Sequence, residues 1–427
     1  MRSSAAHHEI VVPYGHESRV LRVPADNIIW VVGPGNAEPV PDLPAAVQAA
    51  IRSPIAAPTL PELARRHGTQ TVLLIDDNTR STPQARILPV VLDELNAAGV
   101  PDSDISALIA LGTHRPMCEA ECVEHFGQEV MDRIRVENLP QSPADFVDLG
   151  TTPLGIPVQV SRRYLESDLS IAVGNIIPHM YAGWAGGAKM VQPGVTSALT
   201  TARTHLMAGP CVYDILGKID NPVRREMEDI AARSGLKFIV NVVLNGDHEV
   251  VAVVAGDAVA AHREGVRIAE PIYTVTIDQK PDIVVASSYP ADRDLWQGVK
   301  PLNNCGMMVR DGGTLILLHP APEGIAPDHP GMVELGRTPA DLVCELALRD
   351  ELSDGVGAAT YVALDQTRRR VHVVLVSIGI SAAEADRIGL QAATSFEDAL
   401  DQALARHGEQ ATIGVVTRGG DIVARMA

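Results

Sequence analysis

Long apolar runs are missing from this 427-residue chain, and without a stretch of about 18 consecutive apolar residues a membrane-spanning helix is not expected. The opening MRSSAAHHEIVVPYG also lacks the apolar segment of a secretory leader, which makes the expected location cytoplasmic. Cysteine is scarce: the five residues Cys118, Cys122, Cys211, Cys305 and Cys344 are odd in number and scattered. That pattern fits reduced thiols rather than a disulfide framework. Cys118 and Cys122 lie four apart on an expected helix, but no second pair accompanies them, so they read as helix-face residues rather than a zinc site. Positive charge is also in short supply. With 35 Lys and Arg against 53 Asp and Glu, the net charge of −18 disfavours nucleic acid and anionic membranes as partners and leaves a small molecule. Internal repeats, coiled-coil heptads and low-complexity tracts are absent.

What is present is ample material for two cores. The length exceeds what one hydrophobic core usually organises, and 46% of the residues are hydrophobic. Buried-type runs at Thr71–Ile75, Ser106–Leu111, Leu169–Val173 and Phe238–Val243 alternate with amphipathic stretches, which predicts α/β layering. Pro83–Ala98, Pro116–Phe126 and Pro140–Asp148 read as helix or loop connections, with proline at helix starts. A second series runs through Asp282–Ala286, Gly313–Leu318, Val371–Ser377 and Ala411–Val416. We therefore expect two α/β domains, residues 1–272 and 273–427, joined near residues 270–280.

Three polar motifs each follow an expected strand, the position where open α/β sheets bind ligands. The first is Asp76-Asp77-Asn78-Thr79-Arg80-Ser81-Thr82-Pro83. Its arginine fork suits a carboxylate, although Asp76 or Asp77 could equally cap the next helix with Arg80 paired to it. The second, Gly112-Thr113-His114-Arg115, sets an imidazole at a sheet edge, where it suits proton transfer. The third, GNIIPHMYAGWAGGAKMVQPGVTSALTTARTH from Gly174 to His205, holds His179, Lys189 and His205 around a glycine-rich turn. Gly183, Gly186 and Gly187 there permit left-handed backbone and could offer N–H groups to an anion. A phosphate loop is excluded, because Ala188 precedes Lys189 and Met190 follows it. No complete set of protein metal ligands is evident, so any metal at His205 would need non-protein donors. Gln297 and Lys300, after the first strand of the second domain, are placed to reach across a cleft or to be solvated at the surface. His319 and His329 lie in a proline-rich loop that could line the cleft, and His7, His8, His67, His125 and His407 read as exposed polar residues.

Taken in order and spacing, DNTRSTP at 77–83, GTHR at 112–115, Pro178-His179 with AGWAGGAK at 182–189, Pro193-Gly194-Val195, His205 and the Gln297/Lys300 pair resemble the nickel-pincer nucleotide-dependent lactate racemase family. The resemblance implies an active site in the cleft between two α/β domains. It implies nickel held in a pyridinium-3,5-bisthiocarboxylic acid mononucleotide, a nickel-pincer nucleotide covalently linked to Lys189 through a thioamide, with His205 completing the metal's coordination. Within the same resemblance His114 and His179 are paired acid/bases, Arg80 holds the substrate carboxylate, Asp77 contacts the nucleotide, and Gln297 and Lys300 bind cofactor or substrate. Cofactor-synthesis proteins would be partners. The implied reaction is racemisation or epimerisation of a 2-hydroxy acid by reversible hydride transfer. Trp296 stands where a tyrosine is expected in lactate-specific members, and HPAPEGIAP after Leu318 also differs, both pointing to another or larger 2-hydroxy acid. Two other readings are a non-redox lyase or dehydratase using the histidines without nickel, and a non-catalytic cofactor- or ligand-binding protein.

Overall fold

The computed structural model describes residues 6–427; the first five positions, which open the stretch read above for a leader, lie outside it. Two six-stranded sheets organise the chain. The first has the order Val250–Gly256, Phe238–Leu244, Leu169–Asn175, Thr71–Ile75, Ile105–Ile109, Arg135–Asn138, and only the edge strand Val250–Gly256 is antiparallel to its neighbour. Its strands Thr71–Ile75, Leu169–Asn175 and Phe238–Leu244 are buried at every residue, because helices cover both faces of a parallel sheet. The second sheet is parallel throughout, in the order Gln391–Ala393, His372–Val376, Thr314–Leu318, Ile283–Ser287, Ile413–Val416, Ile28–Val32.

The N-terminal segment departs from the expected 1–272 domain. Ile28–Val32 pairs in parallel with Ile413–Val416, at the edge of the second sheet. The hairpin of His7–Tyr14 with Glu17–Pro24 packs on the same sheet, burying Ile10, Val12, Leu21 and Val23 with Ile283, Val285, Ile316 and Val374. An open sheet edge offers unpaired backbone groups to any strand that reaches it, so sequence distance does not limit the pairing. Trp30 shows how closely this strand fits. A Cβ added at Gly414 would stand 2.2 Å from its indole, and the indole N–H donates to the Gln279 carbonyl at 3.0 Å. After the helix Ala260–Tyr273, Thr274–Ile277 pairs with Val423–Met426, so the chain passes to the second unit at this point. Pro140–Asp148, read as a helix or loop, instead contains a single helical turn and then enters the strand Phe146–Thr151, paired with Pro157–Ser161.

Each sheet has one point where the chain reverses its direction of travel. From Thr71–Ile75 it moves outward to Ile105–Ile109 and Arg135–Asn138, then returns to the other side at Leu169–Asn175. From Ile283–Ser287 it moves out through Thr314–Leu318 and comes back at Ile413–Val416. Crevices open beyond the carboxyl ends of strands at such points. The helix Ala198–Ala208 of the first unit packs on Gly355–Arg368 of the second, which closes the cleft on one side. Among the described residues no helix is long and apolar enough to cross a membrane.

The contact between Trp30 and residue 414 gives a direct test of the N-terminal strand's place. Gly414→Ala should destabilise the protein by about 1–3 kcal/mol in urea unfolding, through overpacking against the indole. An unchanged midpoint would show that Ile28–Val32 does not occupy this edge in solution.

Candidate active site in the interdomain cleft

The strand Thr71–Ile75 delivers two buried carboxylates with separate duties. Asp76 accepts hydrogen bonds from Thr82 Oγ1 at 2.5 Å and Gln84 Nε2 at 2.7 Å, and Gln84 also donates to the Val173 carbonyl at 3.1 Å. It therefore pins the motif loop to the start of the helix Gln84–Ala97. Asp77 faces the cleft, where it accepts from Thr79 Oγ1 at 2.6 Å and meets His114 Nδ1 at 2.5 Å. The helix itself follows Pro83 without a side-chain cap, so neither aspartate serves the capping role that the sequence left open. Arg80 Nη1 donates to the carbonyl and hydroxyl of Thr79, at 3.2 and 3.1 Å, which steadies a guanidinium lining the cavity.

His114 sits on the loop beyond Ile105–Ile109, and its backbone N–H donates to the Leu111 carbonyl at 3.0 Å. Burial pushes its imidazole down to about 4, against the opposing pull of Asp77. Burial also works to raise the Asp77 carboxyl, but His114, Arg80 and Thr79 hold it well below the usual carboxylate range. At neutral pH the pair is thus a carboxylate and a neutral imidazole that donates its Nδ1–H, which leaves Nε2 as a lone-pair acceptor. Gln297 Nε2, from the second unit, lies 3.4 Å from that nitrogen.

His179 follows Leu169–Asn175 and is paired with Gly183 in a two-residue ladder. The Tyr181 N–H donates to its Nδ1 at 3.3 Å. Burial, then Lys189 and Lys300, keep its imidazole far below the ordinary histidine value. His205 projects from the helix Ala198–Ala208 with its ring 4.3 Å from Tyr181, and burial followed by Lys189 brings it to about 3.

Lys189 ends the glycine-rich turn, and the turn is held from behind. The fully buried Arg224 donates to the carbonyls of Ala182 and Gly186, each at 3.3 Å, and to that of Trp184. His262 Nε2 bonds the Ala185 carbonyl at 2.8 Å. Here the structure corrects an expectation about Gly186 and Gly187. Neither lines the cavity; the Gly187 N–H is taken by Asn241 Oδ1 at 2.8 Å, and a Cβ at Gly186 would lie 2.8 Å from the Asn175 carbonyl. Both glycines adopt left-handed backbone in close packing, at φ of 77° and 57°, and the Gly187 N–H is not free for a ligand. Burial, then Arg80 and Arg224, lower the Lys189 amine to about 7.

Helix Leu295–Gly306 completes the site from the second unit. Asp294 caps it by accepting the Gln297 N–H at 2.7 Å, which turns Trp296, Gln297 and Lys300 into the cleft. Lys300 Nζ donates to Gln297 Oε1, and burial with Arg80 and Lys189 nearby holds its amine well below the ordinary lysine value. The resulting cavity is lined by Asp77, Arg80, His114, His179, Lys189, His205, Trp296, Gln297 and Lys300. Among the described residues no group of three or more His, Cys, Asp or Glu side chains is placed to hold a metal ion.

Sequence reasoning missed Tyr181 and Thr360, and placed His329 only within a loop that could line the cleft. Tyr181 and Thr360 line the cavity, and His329, buried beside Trp296, bonds Thr113 Oγ1 and Asp354 Oδ1, each at 3.1 Å. The adjacent Arg115 N–H donates to Asp328 Oδ2 at 3.1 Å. No local pattern marks these contacts. His125, read as exposed, is largely covered and lies 3.7 Å from Asp76.

The chain matches the lactate racemase N-terminal domain over residues 14–211 and the lactate racemase C-terminal domain over residues 277–424. It is similar to a lactate racemase of Lactiplantibacillus plantarum, at 27% identity over 89% of this chain and 90% of that protein. A lactate racemase of Thermoanaerobacterium thermosaccharolyticum is 29% identical over 74% of this chain and 75% of its own length. The solved lactate racemase apoprotein from that organism superposes with a TM-score of 0.85 at 26% identity, covering 98% of this chain and all of the other. A Thermotoga maritima protein of known structure, 19% identical, shares the fold with a TM-score of 0.69 over 92% of this chain and its own full length.

The lowered Lys189 amine has a measurable consequence. Between about pH 7 and pH 10.5 the unfolded chain holds this proton while the folded chain does not, so wild-type stability rises with pH across that window. Lys189→Met should therefore be more stable than wild type at pH 7, with the gap closing by roughly 1 kcal/mol per pH unit as pH rises. Urea unfolding at pH 7, 8 and 9 checks this, and a gap independent of pH would contradict a buried, depressed amine.

Proposed function

The chain belongs to the lactate racemase family and is an isomerase, and on that premise we propose that it interconverts the configurations at C2 of a 2-hydroxy acid, with His114 and His179 as the proton-transfer pair and a nickel nucleotide tethered to Lys189. The observation that carries this reading is the convergence of Arg80, His114, His179, Lys189, His205 and Lys300, from five separate segments, on one cavity.

The residues fit such a group. Lys189 presents an amine lowered to about 7, so a large share is neutral and nucleophilic at physiological pH, as acylation requires. His205 supplies one neutral imidazole beside it, so a metal there would take its remaining donors from a bound molecule. The basic groups that remain in the cavity once Lys189 is acylated, Arg80 and Lys300, suit an anionic nucleotide together with an anionic substrate. Bound there, the nickel nucleotide would supply a reversible acceptor for the hydride at substrate C2.

The protein's own groups do the rest. Arg80 holds the substrate carboxylate as a planar fork, which fixes C2 and keeps the 2-keto acid from leaving. His114 accepts the hydroxyl proton at Nε2, and Asp77, on Nδ1–H, stabilises the imidazolium that forms. His179, on the loop of a different strand, handles the proton for the opposite configuration. Trp296 presents ring rather than a polar atom to the cavity, since its indole N–H is committed to Thr360 Oγ1 at 2.8 Å. Because Trp296 stands where a tyrosine is expected in lactate-specific members, the substrate we propose is a 2-hydroxy acid other than lactate, such as a sugar acid or dicarboxylate.

Protein made alongside cofactor-synthesis enzymes should carry added mass and about one nickel per chain, and Lys189→Ala should lose both. Unmodified, nickel-free wild type under those conditions would sink the tethered-cofactor reading. With loaded protein, chiral chromatography across a panel of enantiopure 2-hydroxy acids should reveal at least one that loses optical purity. His114→Gln and His179→Gln should each slow that reaction by roughly 100-fold or more while retaining nickel. Turnover by nickel-free protein would instead favour a lyase.

A further inference from the structure

We propose that Tyr181, Thr360 and Trp296 form a positioning device in which one hydroxyl, Thr360 Oγ1, sets the poses of the site's histidines across the domain boundary; the proposal rests on the racemase reading above. Thr360 lies on the helix Gly355–Arg368 and is 1% exposed. Its Oγ1 donates to the Val356 carbonyl at 3.2 Å and accepts from Trp296 Nε1 at 2.8 Å and from the Tyr181 hydroxyl at 3.3 Å. A hydroxyl has one donor and two acceptor positions, so this oxygen is fully committed.

Both aromatic partners end on histidines. Tyr181 comes from the first unit, with its ring 4.3 Å from His205 and 6.0 Å from His179, and its backbone N–H on His179 Nδ1. Trp296 comes from the second unit and meets His114 edge-on at 4.9 Å. All three histidines are therefore one residue removed from the same hydroxyl. The Tyr181 N–H has a chemical consequence. It requires a lone pair on Nδ1, so neutral His179 rests with its proton on Nε2, and accepting a substrate proton requires its Nδ1 to release the Tyr181 N–H. Remove the Thr360 hydroxyl and two buried donors lose their acceptor, which obliges Tyr181 and Trp296 to move or to remain unpaired at a cost. Either response disturbs the rings against which the histidines rest.

Thr360→Val keeps the shape and removes the hydroxyl, whereas Thr360→Ser keeps the hydroxyl. In loaded protein, Thr360→Val should lower kcat about tenfold with little change in KM, as expected for lost transition-state alignment rather than lost binding. Thr360→Ser should restore most of it. Tyr181→Phe should give a smaller loss, and Tyr181→Phe combined with Thr360→Val should be no worse than Thr360→Val alone. In the full-length chain without cofactor, ring 15N shifts at neutral pH should show His179 as a single Nε2–H tautomer, mixed in Thr360→Val and recovered in Thr360→Ser. Wild-type kcat and an unchanged His179 signature in Thr360→Val would overturn the proposal, as would a Thr360→Ser variant as impaired as the valine. If Thr360→Val does not fold, Tyr181→Phe decides by the same two readouts. Should wild type racemise no acid, the racemase reading fails while the tautomer comparison still judges the network.

Discussion

Arg224 is a charged side chain almost wholly without access to water, and the loop carrying Lys189 depends on it. Segment Ala182–Gly186 has little regular secondary structure, yet it is buried, so its carbonyls need partners that a ladder or helix would otherwise provide. The guanidinium supplies them to three residues of that segment, and Asn221 adds a bond to the Ala182 carbonyl at 3.3 Å. Burial lowers even this guanidinium to about 10, with Glu228 working in the opposite direction. Lys189 stands one helical turn beyond the segment, and its aim into the cavity follows from a backbone that cannot shift.

The same burial shapes the site's electrostatics. Arg80, Lys189 and Lys300 face one another across a small volume, with Asp76 and Asp77 as the carboxylates lining it. Each lysine amine is lowered by burial first and by neighbouring cations second. A site built this way is unfavourable until an anion enters. The net charge of −18 describes the outer surface and says nothing of this pocket. The sign of a protein's surface and the sign of its site answer to different constraints, solubility in one case and the ligand in the other.

Both units contribute through the same topological feature, the place where the strand order reverses. The first places three loops there, after Thr71–Ile75, Ile105–Ile109 and Leu169–Asn175; the second places a capped helix there, after Ile283–Ser287. Bonds across the boundary, from His329 to Thr113 and from Arg115 to Asp328, hold the loop bearing His114 against the second unit. The geometry of proton transfer is thus tied to the docking of one unit on the other.

Sequence alone determined the α/β class, eight of the twelve strands in the two large sheets and eight of the polar side chains that line the cavity. Fully buried strands need unbroken Val, Ile and Leu, and polar residues can follow them only where the chain emerges; both are local patterns. Tertiary structure decided what depends on direction and distance. It assigned Ile28–Val32 to the second sheet through pairing with residues some 380 positions away, which no local period encodes. It separated Asp76 from Asp77, adjacent residues that strand alternation sends to opposite duties. It turned Gly186 and Gly187 away from the ligand space, because what surrounds a turn, rather than its glycines, decides where its N–H groups point. Thr360, Tyr181 and His329 became part of the site only when two separately encoded units met, since a hydrogen bond across a cleft leaves no trace in the spacing of either partner.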